Sequence, residues 1–274
     1  MTTIVKVGGG RAINLDGIAG DLAAMRSPCV VVHGANAARD DLAEALGVPR
    51  RVLTSVSGHQ SVHSDDRMID VMLMAYAGLR NKRLVEMLQR RGVDAVGLTG
   101  LDGRLIRGRR NRGIRVRDGD TVRLVHDHSG KPEGVNLRLL GLLLEEGYLP
   151  VITVPLADET GAAINADNDD VVAVLQTSLR AARVIHLIEA PGILRDPSDP
   201  ASAIARLEPA DLAALEQRAT GRMKRKLRSI RRMFEGGSPT VVVADGRGEC
   251  PLAAALEGRG TTIACGAAAA ALTG

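Results

Sequence analysis

Hydrophobic and polar positions change period several times along this chain, and the changes mark its elements. Thr3-Ile4-Val5-Lys6-Val7 is a short, β-branched apolar run that predicts a strand, and it breaks into Gly8-Gly9-Gly10. From Leu15 the period becomes helical, through Ile18, Ala19 and Leu22. Cys29-Val30-Val31-Val32 repeats the arrangement, running into His33-Gly34-Ala35-Asn36 and a helix with Leu42, Ala45 and Leu46 on one side. The segment around 56–66 is rich in glycine and serine and reads as a loop. Met68, Val71, Met72 and Ala75 predict a helix from Arg67 to about Ala77, and Leu84, Val85 and Leu88 a second from Asn81 to Arg91. Residues 94–100 return to a strand pattern.

From Leu101 to about Asp127 short alternating segments and turn pairs (Asp102-Gly103, Asp118-Gly119) predict hairpins. Val135 to Glu146 reads as a helix ended by Gly147, and Tyr148 to Val154 as a strand closed by Pro155. A helix with Val171, Val172, Leu175 and Leu179 inward follows Asn165-Ala166-Asp167-Asn168-Asp169-Asp170, whose acids suit its dipole. The remaining pattern gives strands at 184–188, 240–244 and 261–264 and helices at 209–218 and 221–234. Strands alternating with helices predict an α/β fold, a three-layer αβα sandwich around a central, mainly parallel sheet. Neither a GxxxxGK[ST] nor a GxGxxG string is present, which disfavours P-loop and dinucleotide-binding readings.

Three stretches carry candidate chemistry. Glycines after a strand let backbone N–H groups and a helix N-terminus hold phosphate oxygens, and Lys6, costly to bury alone, is placed to face that anion. A tight turn with an edge lysine is the plain alternative. Gly221 to Phe234 bears seven basic residues between Arg222 and Arg232. Met223, Leu227, Ile230 and Phe234 form its inward stripe, with Lys224 and Lys226 on opposite flanks. Periodicity alone does not choose between these lysines. Asp167 reads either as a helix N-cap or as the acid that pairs with two lysines. His59 and His63, spaced four apart, lack a third histidine, so no metal site is assigned, and His126 and His128 read as solvated.

Composition narrows the class. Aromatic residues make up 1% of the 274 residues, which argues against base stacking and leaves nucleic acid out as a partner. Three scattered cysteines form no CxxC pair, and the chain enters its first strand without a leader, so a reduced, cytoplasmic protein is expected. No apolar stretch is long enough to span a membrane. The net charge of +4 is unevenly spread, with eight arginines between Arg104 and Arg123.

Val5-Lys6-Val7-Gly8-Gly9, the His33-Gly34 turn, Asn165-Ala166-Asp167 and Gly221-x-Met223-x-x-Lys226 occur in an order that resembles the amino acid kinase fold, specifically the acetylglutamate kinase group. Residues 78–86, 97–105 and 221–226 look like the branch acting on aminoadipate or glutamate held by a small acidic amino-group carrier protein. The resemblance covers about residues 3–265. It implies an N-terminal acyl-substrate lobe (1–157, with a basic hairpin at about 101–127), a C-terminal ATP lobe (158–265), a tail (266–274) and a homodimer. It also implies Mg2+-dependent phosphoryl transfer from ATP to a carboxylate. A carboxylate is already ionised at neutral pH, so no general base is needed. By position, Lys6 and Lys226 stabilise the transferring group and Asp167 orients them. Gly8, Gly9 and Lys224 meet the nucleotide, and Gly34, Ala35 and Asn165 meet the acyl group. Two departures stand out. Ala35 replaces a usual glycine, and Val62 stands where the family usually has a carboxylate-binding arginine, leaving Arg67 or His63 to take that role or the substrate to differ. The arginine-rich hairpin then becomes a candidate docking surface for the acidic carrier. Free N-acetylglutamate as substrate, or a silent ligand-binding sensor of the same fold, are the alternatives.

Overall fold

The computed structural model describes residues 2–266 except 57, 59, 119 and 120. His59 and all but the first residue of the 266–274 tail therefore lie outside the described residues. The chain opens with β1 (Thr3–Val7), α1 (Leu15–Ala24), β2 (Cys29–His33), α2 (Asn36–Ala45) and a small hairpin of β3 (Val52–Thr54) and β4 (Gln60–Val62). α3 (Asp66–Met72) continues through a π-helical stretch, Leu73–Arg80, into α4 (Asn81–Gln89). β5 (Ala95–Gly100), β6 (Ile106–Arg110), β7 (Ile114–Asp118), β8 (Thr121–Val125), β9 (Gly130–Val135), α5 (Leu137–Glu145), β10 (Leu149–Ala157) and β11 (Ala163–Ile164) follow. The rest is α6 (Asn168–Leu179), β12 (Arg183–Ile188), β13 (Arg206–Leu207), α7 (Leu212–Arg218), α8 (Gly221–Glu235), β14 (Thr240–Asp245), α9 (Pro251–Leu256) and β15 (Thr261–Ile263).

One sheet of 11 strands runs β13-β15-β14-β12-β1-β2-β10-β6-β9, with β5 and β11 also paired to β10. β12, β1, β2, β10 and β5 are parallel. This is the expected α/β sandwich. β1 lies between β2 and β12, so N- and C-terminal strands meet at its two edges. Buried side chains alternate along it. Val5 and Val7 join a cluster with α1, α4 and α9, while Ile4 joins the opposite cluster with α5, α6 and α8. Lys6 shares the side of Ile4.

Four expectations are corrected. The two helices predicted at 67–77 and 81–91 form one continuous run, Asp66–Gln89, because the π-helical turns rephase the apolar positions across Gly78. The segment 56–66, read as loop, contains β4, which pairs with β3 just before it in a hairpin whose short strands lack an apolar alternation. β9 went unread because Gly-Lys-Pro-Glu-Gly looks like a loop, yet it pairs antiparallel with β6. β10 continues through Pro155, which falls between the β5 ladder ending at Thr153 and the β11 pairing starting at Leu156, so its missing N–H removes no ladder bond. The 101–127 region does form a hairpin, β7–β8, whose backbone joins that of 55–56.

Candidate active site

The glycine turns after β1 and β2 lie in backbone contact. Gly34 N–H donates to the Val7 carbonyl at 3.0 Å, and Ala37 N–H to the Gly9 carbonyl at 3.0 Å. A Cβ on Gly9 would stand 2.6 Å from the Ala35 nitrogen and 2.7 Å from that of Asn36, so only glycine allows this approach. Gly8 N–H donates to Leu187 of β12 at 2.9 Å. Ala35 N-caps α2 without any side-chain cap of its own. Tyr76, from the π-helical stretch, reaches the side chain that opens this helix. Its buried hydroxyl donates to Oδ1 of Asn36, the first residue of α2, at 2.5 Å.

Beside these turns, three elements bring charges together. Lys226, on α8, donates from Nζ to both oxygens of Asp169 at 2.7 and 2.9 Å. Lys6 Nζ lies 3.4 Å from Asp169 Oδ1. The side chains of Lys6, Lys226 and Asp169 are 12%, 7% and 10% exposed, so this is a buried, dry cluster. Burial opposes the Asp169 charge, but Lys226 and Lys6 overcome it and hold the carboxyl well below the usual range. Burial lowers the Lys226 pKa, with Asp169 offsetting part of the shift and Lys6 adding to it. His186, on β12, places Nδ1 3.5 Å from Asp169 Oδ1.

The pairing expected of Asp167 is thus made by Asp169, two residues on. Asp167 is the N-cap of α6, accepting from Asp169 N–H at 3.0 Å, with its other oxygen 3.5 Å from Arg225 Nε. Asp169 sits inside the first turn, where the side chain reaches back toward the strand ends holding Lys6 and His186. Burial and the Asp169 charge raise the Asp167 pKa. Lys226, rather than Lys224, reaches the cluster. Lys224 lines a separate open hollow of about 350 Å³ between α7 and α8, with Glu216, Arg228 and Arg231.

Asn165 donates to Ser64 Oγ at 2.9 Å and exchanges backbone bonds with His128 and Gly130, tying the start of α3 to β9. Val62 packs on a small cluster of Ala43, Val48, Met68 and Val71. His63 follows it with a buried, unpartnered Nε2, whereas Arg67 is exposed. His128, expected to be solvated, is engaged by Arg110 and Asp66. Around the hairpin, Arg109 pairs with Glu133 and Arg110 with Asp158, while Arg104, Arg107, Arg112, Arg115 and Arg117 are exposed.

Comparison with known proteins decides the family. The profile of the amino acid kinase family matches residues 1–245. The chain belongs to the amino acid kinase family. It is 42% identical over 270 residues to a LysW-aminoadipate kinase of Thermus thermophilus, covering 95% of this chain and 99% of that one. It is 34% identical over 262 residues to an acetylglutamate kinase of Methanopyrus kandleri, with coverage of 95% and 99%. The same fold is seen in smu.665 of Streptococcus mutans (TM-score 0.73, 19% identity, 97% and 99% coverage). An isopentenyl phosphate kinase shares it as well (TM-score 0.64, 19% identity, 96% and 100% coverage). The chain is a kinase of this family, and among the described residues no helix is long and apolar enough to cross a membrane.

Proposed function

We propose that this kinase transfers the γ-phosphoryl group of ATP to a side-chain carboxylate of aminoadipate, glutamate or a related amino acid held on a small acidic carrier protein. The observation that carries the chemistry is the convergence of Lys6 and Lys226 on one buried carboxylate beside two glycine turns. Phosphoryl transfer asks mainly for positioning and charge stabilisation. The two ammonium groups turn from Asp169 to the equatorial oxygens of the moving group, and Asp169 keeps them a fixed distance apart. Gly8 and Gly9 line the phosphate site, Gly8 through its missing side chain because its N–H is held by Leu187, while Lys224 is assigned to the nucleotide and Gly34, Ala35 and Asn165 to the acyl group. Asp167 acts by capping the helix that carries Asp169.

Among the described residues no group of three or more His, Cys, Asp or Glu could hold a metal ion. Mg2+ would enter on the nucleotide and would supply charge neutralisation at the phosphates beside Lys6 and Lys226.

The carrier is supported by the 42%-identical relative and by the exposed arginines of the β6 to β8 region, which present a basic face to an acidic partner. Free N-acetylglutamate is kept as a second reading because a 34%-identical relative is named acetylglutamate kinase. Assays with carrier-bound aminoadipate, carrier-bound glutamate and free N-acetylglutamate test the choice. Turnover is expected on a carrier-bound acceptor, with KM rising as salt is added. Turnover on the free acid alone, without salt dependence, refutes the carrier reading. Cytoplasmic placement rests on the scattered, unpaired cysteines, and a homodimer is implied by the resemblance, which sedimentation velocity reads.

A further inference from the structure

β12 is an apolar strand in which Val184, Ile185 and Leu187 are fully buried, yet its middle position is a histidine with no exposed surface. Burying an imidazole without partners is unfavourable. His186 pairs in register with Lys6 across β1 and β12, so both side chains rise from the same level of the sheet. Its Nδ1 lies 3.5 Å from Asp169 Oδ1, too loose for a hydrogen bond in this state, and neither ring nitrogen has a hydrogen-bond partner. Burial, with Lys226 and Lys6 nearby, lowers its pKa to about 4, so the ring is neutral near pH 7 and carries one N–H.

We propose that His186 is a positioning residue that holds Asp169 by an Nδ1–H hydrogen bond when the two lysines turn to the phosphoryl group. In the resting site Asp169 is held by Lys226 on both oxygens and Lys6 on one. As the ammonium groups engage an incoming anion, those contacts weaken and the carboxylate needs a donor that does not leave. A neutral imidazole fixed in a strand is such a donor, and it adds no positive charge to compete for the phosphate. The 3.5 Å contact shortens in that state. Asp169, Lys226 and Lys6 are the charged groups it faces.

This inference rests on the lysine cluster being the phosphoryl site, and its test is separable from turnover. In the wild-type protein, 15N NMR of the imidazole near pH 7 is expected to show the neutral Nδ1–H tautomer. An Nε2–H tautomer overturns the proposal even if the kinase reading stands. In kinetics, His186→Leu is expected to lower kcat about tenfold with KM for ATP nearly unchanged, the scale of losing an outer orienting contact. His186→Asn, whose amide can donate from about the Nδ1 position, is expected to recover most of that loss. Wild-type kcat in His186→Leu, or an Asn variant no better than Leu, overturns it. Should the Leu variant not fold, His186→Gln replaces it, since its amide imitates Nε2 and is expected not to rescue.

Discussion

The sharpest perturbation is Asp169→Asn. The wild-type carboxylate lies 2.7 and 2.9 Å from Lys226 Nζ and 3.4 Å from Lys6 Nζ, and the three side chains are nearly shut off from water. Neutralising the acid leaves two like charges facing each other without an anion. Removing one partner of a buried pair costs about 3–5 kcal/mol, and deprotonation of a lysine limits the loss. Lys226, whose pKa is already lowered by burial, is the group that yields. A neutral Lys226 is a poor donor to a phosphoryl group, so kcat is expected to fall by roughly 10²–10³, as for loss of one oxyanion donor. The alkaline limb of the rate profile moves to lower pH, because Lys226 now loses its proton sooner. Asp167→Asn is the control, since asparagine caps a helix about as well as aspartate and the stability change stays under about 1 kcal/mol. Urea denaturation and ADP release measured from about pH 6 to 9, between the ordinary His and Lys values, read both effects. An Asp169→Asn protein with wild-type kcat and profile, beside an inactive Asp167→Asn protein, would refute the reasoning.

Other outcomes follow from the same geometry. His33 and His186 are lowered to about 3 and about 4 by burial, so the folded state binds fewer protons than the unfolded one below about pH 6.5. Stability is therefore whole above that value and falls with acid, by up to about 2.7 kcal/mol per pH unit for the two together. Urea midpoints at about pH 7 and 5, spanning the ordinary His value, check this, and equal midpoints contradict it. Asp169 does not confuse the window, since its lowered pKa keeps its contribution to more acid pH. Gly9→Ala pushes a methyl into the Ala35 and Asn36 backbone and is expected to cost about 2 kcal/mol and most activity, whereas Gly20→Ala in α1 meets nothing within 4 Å and is expected to stabilise by about 0.5 kcal/mol. Thermal melts of both variants decide. Neutralising Arg107, Arg112, Arg115 and Arg117 together is expected to raise KM for a carrier-bound acceptor about tenfold and spare ATP. Steady-state kinetics read it, and an unchanged KM removes the docking surface.

The pattern of apolar runs carried the layered α/β order and both glycine turns, because β-branched strands followed by glycine have few other folds. It also carried Lys6, a charge inside an apolar strand. Lys226 needed the resemblance, since Lys224 flanks the same stripe equally well. Asp169 was not legible. Three acids open α6, and a helix dipole explains all of them at the level of sequence. Which one meets the lysines depends on where β1, β12 and α8 converge. His186 was hidden for a related reason, because one histidine in a run of valine, isoleucine and leucine reads as core. Tyr76 was hidden by the π-helical turns, which alter the spacing that a helical period assumes.

The central claim is that Lys6 and Lys226 share a transferring phosphoryl group. A crystal structure with Mg2+ and a non-hydrolysable ATP analogue measures it directly. Both Nζ atoms are predicted within about 3 Å of γ-phosphoryl oxygens, the length of a charge-assisted hydrogen bond, above the Gly8–Gly9 turn. A nucleotide bound elsewhere, or a γ-phosphate that meets neither ammonium group, would contradict the account.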